Sequence, residues 1–155
     1  MLRRLLPLTV LVLSACQAPI VWHTVDTDIG FGRLWDRFSE VATVEGYPPD
    51  ADLTDRGTRE YVSIWHESSA PIGKDVERTR LHAFIDRSEE DAERWLLKFY
   101  VERQVVDTFG RRFDVREEDW GNGGQAGVRE EVILGKLRLD LGQDLGIQPT
   151  HQRDR

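Results

Sequence analysis

Cysteine is almost absent: Cys16 is the single thiol among 155 residues. One thiol excludes an intramolecular disulfide and a thiolate-clustered zinc site, so stability has to come from packing. Lysine is scarce too, with only Lys74, Lys98 and Lys136, and arginine supplies the other 18 of the 21 basic residues. Positive charge is in deficit as a whole. The formal net charge is −7, a poor match for nucleic acid or a bare anionic bilayer. The arginine pairs Arg78/Arg80 and Arg111/Arg112 read as small solvated clusters. Long apolar runs are missing: the longest, Leu5–Leu13, covers roughly 14 Å as a helix, about half a hydrocarbon core, and contains Pro7. Catalytic signatures are missing as well, with no HExxH, GxSxG, SxxK or phosphate-loop pattern.

What is present begins at the N-terminus. Arg3 and Arg4 precede the apolar run, and Ser14 and Ala15 directly precede Cys16. A basic start, a short apolar stretch and small residues at a cleavage point are the anatomy of a secretory signal. Leu13-Ser14-Ala15-Cys16 resembles the lipobox of bacterial lipoproteins. The resemblance implies cleavage after residue 15, a diacylglyceryl thioether on Cys16 and a further acyl chain on its amino group. Two or three chains anchor a protein stably where one does not. Gln17, in place of an aspartate, implies by the same analogy the outer membrane, facing the periplasm. Loss of residues 1–15 leaves 140 residues with 19 basic and 28 acidic side chains, a balance of −9 and a chain suited to one domain.

Residues 16–28 read as a lipidated tether, in which Ile20, Trp22 and Val25 could instead form a short edge strand. Phe31, Leu34, Trp35, Phe38, Val41 and Ala42 follow the spacing of an amphipathic helix that Gly46 would end. "EYVSIWHES" reads as one strand, with Tyr61/Ser63/Trp65 on one face and Val62/Ile64/His66 on the other. "VERTRLHAFID" is a second strand, with Leu81, Ala83 and Ile85 on one face and Arg80, His82 and Phe84 on the other. Residues 92–106 fit either a helix or a strand; aromatic and β-branched residues favour a hairpin with "DRSEED" as its loop and a strand from about 94 to 106. "WGNGGQAG" reads as an irregular, glycine-rich loop. "VREEVILGKLRLDLG" reads as a closing helix with Val132, Ile133, Leu137 and Leu141 on one face, and residues 143–155 as a frayed polar tail. The expected fold is α+β. It is a two-layer sandwich with an antiparallel sheet of three to four strands and two helices on one face, occupying residues 29–142.

That order, with "RLWDRFSEVATVEGY", "DLTDR", "LLKFYVERQV" and "EEVILGKLRL" in sequence, resembles the compact helix-grip domains of small envelope lipoproteins. One of these is an accessory lipoprotein of the outer-membrane β-barrel assembly machine. The resemblance is one of layout and carries fold and location; for function it is associative only.

Chemistry has few candidates. His23, His66, His82 and His151 show no metal-ligand spacing, and no metal or cofactor is expected. His66 and His82 on adjacent strands, with Glu67 or Asp86, would be the nearest approach to a metal or acid/base cluster, and Ser68 or Ser69 beside His66 the nearest to a nucleophile. The acidic runs Glu89/Glu90/Asp91 and Glu117/Glu118/Asp119 lack the alternation and glycine of a calcium loop. Of the five tryptophans, Trp35, Trp65 and Trp95 fit a core. Trp22 and Trp120 lie in irregular segments, where they would either anchor a partner protein or fold back on the domain. The expectation is a non-catalytic, membrane-anchored module that binds another envelope protein. The second reading is a lipid or glycan pocket between sheet and first helix, and the third a hydrolase built on His66 or His82.

Overall fold

A computed structural model describes residues 19–68, 76–106 and 115–141. The leader, Cys16, Ser69, the Arg111/Arg112 pair, His151 and the polar tail lie outside the described residues. Within them the order is β1 (His23–Thr27), α1 (Phe31–Val44), β2 (Glu60–Val62), β3 (His66–Ser68), β4 (Val76–Arg87), β5 (Trp95–Val106), a 3-10 turn (Glu117–Asp119), β6 (Gly121–Gln125) and α2 (Gly127–Asp140). The fold is α+β, and its sheet is larger than expected: six antiparallel strands rather than three or four. The described helices are two.

The β4–β5 hairpin is the spine, paired from Val76↔Val106 to Arg87↔Trp95. The hairpin reading of residues 94–106 therefore holds over the helical one, as period-two alternation and β-branched residues dictate. Each flank of this hairpin carries two short strands end to end. β2 and then β3 line the outer side of β4; β1 and then β6 line the outer side of β5. One strand was expected only as an alternative and one was missed, each for a physical reason. β1 falls inside the stretch expected to be a tether: its Val25 and Thr27 are fully buried, and it pairs with β5 from His23↔Phe99 to Thr27↔Trp95. The ordered domain thus starts by residue 23, not 29. β6 is the glycine-rich segment expected to be a loop. Gly123 lies so close to Arg103 and Val105 that an added Cβ would stand 3.1 Å from each, so glycine here permits pairing rather than preventing it.

Both helices cover one face of the sheet. Leu34, Trp35, Phe38, Val41 and Ala42 of α1 and Ile133, Leu134 and Leu137 of α2 join Leu81, Ala83, Ile85, Leu97, Phe99 and Val101 in one core. Val132, expected on the buried face of α2, is instead exposed, and Glu130 and Leu134 take its place. α1 ends as its sequence dictates. Gly46 takes φ +88° and the Gly46 and Tyr47 amides donate to the Thr43 and Ala42 carbonyls at 3.1 and 2.8 Å, the Schellman arrangement. It delivers Tyr47 into the core, where its hydroxyl meets Thr79 Oγ1 at 3.0 Å and its carbonyl accepts from the Tyr61 hydroxyl at 2.7 Å.

Between β1 and β6 the edge of β5 is left without a strand partner, and Glu130 fills the gap. Its buried carboxylate accepts from the Val101 amide at 2.7 Å, from Gln125 Nε2 at 3.1 Å and lies 3.1 Å from His23 Nε2. Gln125 closes the seam by bonding both the amide and the carbonyl of Val21, at 2.8 and 2.9 Å. A buried charge is tolerated when its lone pairs are used in this way.

A candidate interaction face on the open side of the sheet

The face turned away from the helices is where the singled-out tryptophans and histidine collect, and a break in one strand makes that possible. "EYVSIWHES" is not one strand. Val62 pairs with His82 and His66 with Thr79, so four residues advance on one side against three on the other. One extra residue reverses the facing of every side chain beyond it. Ser63 secures the break: its backbone amide donates to the Leu81 carbonyl and its hydroxyl accepts from the Leu81 amide, each at 2.9 Å. Trp65, expected in the core, is thereby placed on the open face, half-buried.

There it forms a stack with the two arginines. The Arg78 guanidinium lies 4.2 Å from the Trp65 ring centre and 4.3 Å from that of Trp120. The Arg80 guanidinium lies 4.3 Å from Trp65. The order is Trp120, Arg78, Trp65, Arg80. Arg78 is only 7% exposed, which corrects the reading of this pair as a solvated cluster. Its Nε donates to Gln104 Oε1 at 2.9 Å and its Nη1 to Glu117 Oε2 at 2.7 Å. That bond holds the Glu117 carboxyl below its ordinary range. Stacking of this kind contributes roughly 0.5–2 kcal/mol per pair, the upper end when water is excluded.

Two residues further along β4, the ring system changes from cationic to apolar. His82 stacks flat on Tyr100, with ring centres 4.9 Å apart and planes 5° apart, and lies 3.0 Å from Glu102 Oε2. The His82 bond lowers the Glu102 carboxyl pKa, against the effect of burial. Burial raises the Tyr100 hydroxyl. Trp22 sits edge-on to Tyr100 at 4.7 Å and to Phe84 at 5.8 Å, and Phe84 is 39% exposed.

Trp22 and Trp120 thus fold back onto the domain, one at each end of the same face. The two histidines part company. His66 pairs with Thr79, whose side chain reaches the core tyrosine Tyr47, and its ring lies 5.8 Å from that of Tyr47. His82 lies on the other face, so the cluster required of a His66/His82 hydrolase does not assemble. Among the described residues no group of three or more His, Cys, Asp or Glu side chains could hold a metal ion. The space between α1 and the sheet, where the ligand-pocket reading needs a cavity, holds the fully buried Leu34, Phe38, Phe99 and Leu97, with Tyr61 1% exposed.

No protein-family model matches the chain, and no curated protein matches it.

The sequence signal for this face was legible in principle. Arg78, Arg80, His82 and Phe84 alternate along one strand, so they share a face, as do Tyr100, Glu102 and Gln104 opposite them. What concealed it was the extra residue between β2 and β3, which no periodicity shows.

Proposed function

We propose that this protein is a membrane-anchored envelope lipoprotein, acylated at Cys16, which binds another envelope protein through the open face of its sheet and catalyses no reaction. The observation that carries the reading is the construction of that face. Tryptophan, tyrosine and arginine dominate interface hot spots because they offer large rigid area with a polar end. Here Trp22, Trp65, Trp120, Tyr100, Arg78 and Arg80 share one face on which neither helix packs. A face of this composition costs solubility unless something covers it.

The anchor supports the same reading by position. Only residues 17–22 separate Cys16 from β1, a span of at most about 25 Å. The acylated chain would hold the sheet close to the bilayer, with Trp22 at the junction of tether and open face. Among the described residues no helix is long and apolar enough to cross a membrane, so the acyl chains are the proposed means of attachment. The outer membrane, facing the periplasm, is the proposed site.

Two measurements test this. Mass spectrometry of protein from the native membrane fraction should find a mature N-terminus at Cys16 carrying acyl chains; an unmodified Cys16 in an uncleaved chain overturns the anchor. A photocrosslinking residue at position 84 should trap one discrete partner in native membranes, and the same residue at position 33 on α1 should not. Equal labelling from both positions overturns the assignment of the face.

A further inference from the structure

Every described arginine on the sheet except Arg80 has a hydrogen-bond partner. Arg78 holds Glu117 and Arg103 holds Glu77, while Arg87 donates to the Ala92 carbonyl. Arg80 makes no hydrogen bond or ion pair among the described residues, and its Nε is buried without a partner. It is nonetheless fixed in place: its guanidinium is stacked on Trp65, which also carries the twice-bonded Arg78. Glu102 is its cross-strand neighbour, but that carboxylate is engaged by His82 and Gln104. With Nε buried, a partner carboxylate would be taken end-on by the two Nη groups of this stacked guanidinium, for which no hydrogen bond is made among the described residues. Immobilisation in advance also lowers the entropy cost of binding.

The neighbours of Arg80 describe the rest of the ligand. Going along β4, the next open-face rows are His82–Tyr100 and Phe84–Lys98, about 7 and 13 Å away. Tyr100 and Phe84, with Trp22 edge-on to both, make an apolar patch. Lys98, at its far end, is a second cation without an ion pair among the described residues. The aromatic faces are not presented flat as sugar platforms: Tyr100 is covered by His82 and meets Trp22 edge-on, and Trp65 already carries two guanidinium groups. An oligosaccharide therefore lacks its stacking surface, whereas apolar side chains pack well against aromatic edges.

The geometry points to Arg80 as the receptor for an Asp or Glu side chain in an extended segment of the partner protein, with flanking apolar side chains covering Tyr100, Trp22 and Phe84. This rests on the open face being the protein-binding surface, and it names the chemistry that the surface selects. Charge complementarity carries it: Arg80 and Lys98, neither in an ion pair among the described residues, bracket an apolar patch on a chain of net charge −7, with Glu102 and Glu117, each already hydrogen-bonded elsewhere, within electrostatic reach of Arg80.

The test is selection from a random peptide display library on the purified full chain in detergent, followed by affinity measurement with the enriched peptides. Enrichment of Asp or Glu at one position beside apolar residues is expected. Affinity should fall about tenfold or more in both Arg80→Gln and Arg80→Lys, since lysine keeps the charge and loses the planar fork, and Arg33→Gln on α1 should bind like the parent. Arg80→Lys is the variant that guards against a folding artefact, with matching thermal melts as the check. Selection without acidic enrichment, no enriched peptide at all, or full affinity in Arg80→Lys overturns the proposal. Arg80-dependent binding of an oligogalacturonate in place of peptides would also overturn it, in favour of an anionic glycan. Because the selection needs no membrane, its failure beside a discrete crosslink at position 84 removes only the carboxylate. A missing crosslink beside successful selection removes only the membrane role.

Discussion

The two faces of one sheet are built from the same alternating strands and solve opposite problems. The helix-covered face buries aliphatic and aromatic side chains completely: Leu81, Leu97, Phe99 and Val101 are all 0% exposed. On the open face neither described helix packs, and its side chains are satisfied laterally, ring against guanidinium and imidazole against phenol. The first arrangement is held by exclusion of water, which is insensitive to the identity of any one neighbour. The second is held by specific pairs, each weak, and each leaving an edge free for a partner. Stability should therefore reside on one face and recognition on the other.

The largest effects should separate the faces cleanly. Phe99→Ala empties a fully buried site and should cost about 3–5 kcal/mol, read from urea unfolding. Phe84→Ala, one strand away on the open face, loses an edge-to-face contact with Trp22 and should cost less than about 1.5 kcal/mol. If the two variants unfold at similar urea concentrations, the open face is a second core and its proposed role fails. Glu130→Ala belongs with the first group: it leaves the Val101 amide, Gln125 and His23 without their shared acceptor in a buried seam. A loss of about 3–5 kcal/mol is expected, as when one member of a buried pair is removed.

The covered face was the legible one. Leu34, Trp35, Phe38, Val41 and Ala42 announce α1 by their spacing, and Leu81, Ala83 and Ile85 announce β4, because burial on one side imposes a period on the sequence. Where no burial imposes a period, the reading failed. β6 has three glycines in five residues, so it has almost no side chains to alternate, and only the register with β5 makes it a strand. Trp65 was misplaced for the reason that a single inserted residue inverts a strand's facing without altering its composition. Glu130, charged yet buried, was invisible because two of its partners, Val101 and His23, lie 29 and 107 residues away along the chain. Cys16 and the leader lie outside the described residues, and their reading as an address is a proposal. Gly46 shows the opposite case, a position read correctly whose reason is fuller than the reading. Its positive φ is needed for the helix stop, and an added Cβ would also stand 3.1 Å from His66 Nδ1. Gly46→Ala should cost about 1–2 kcal/mol through the strained backbone alone, and a neutral result in the same urea assay would show that α1 can end another way.

Each face carries one histidine–carboxylate pair, and pH distinguishes them. On the covered side, the bond to Glu130 raises the His23 pKa even though burial opposes it. The folded chain holds that proton more tightly than the unfolded chain. The contribution is thus fully present below 6.5 and is lost as pH rises through the raised folded value. On the open side the shift falls on the carboxylate. Glu102 is lowered by the His82 bond, so its contribution is present above 4.5 and is lost as pH falls through the lowered folded value. His23→Gln should flatten the stability profile on the neutral-to-alkaline side, and His82→Gln on the acid side, in denaturation series run across both limbs. Variants that flatten the same limb would contradict the separation of the two pairs by the sheet.

Two glycines give the smallest and most local version of the contrast. Gly135 lies mid-way along α2, solvent-exposed, with no atom within 4 Å of an added Cβ. In the unfolded chain glycine samples more backbone states than alanine, and folding removes them for no packing return. Gly135→Ala should therefore stabilise the protein by about 0.5–1 kcal/mol, visible as a small rise in melting temperature. Gly123 in β6 has ordinary backbone angles too, since its φ is not positive, but the Cβ would stand 3.1 Å from the Arg103 carbonyl and 3.1 Å from Val105 Cγ1. The same entropy gain is available there and is opposed by a backbone carbonyl that cannot swing aside. Gly123→Ala should thus lower the melting temperature while Gly135→Ala raises it. A rise in both would mean that β6 yields without cost, and that the edge of β5 beyond Glu130 is loosely held.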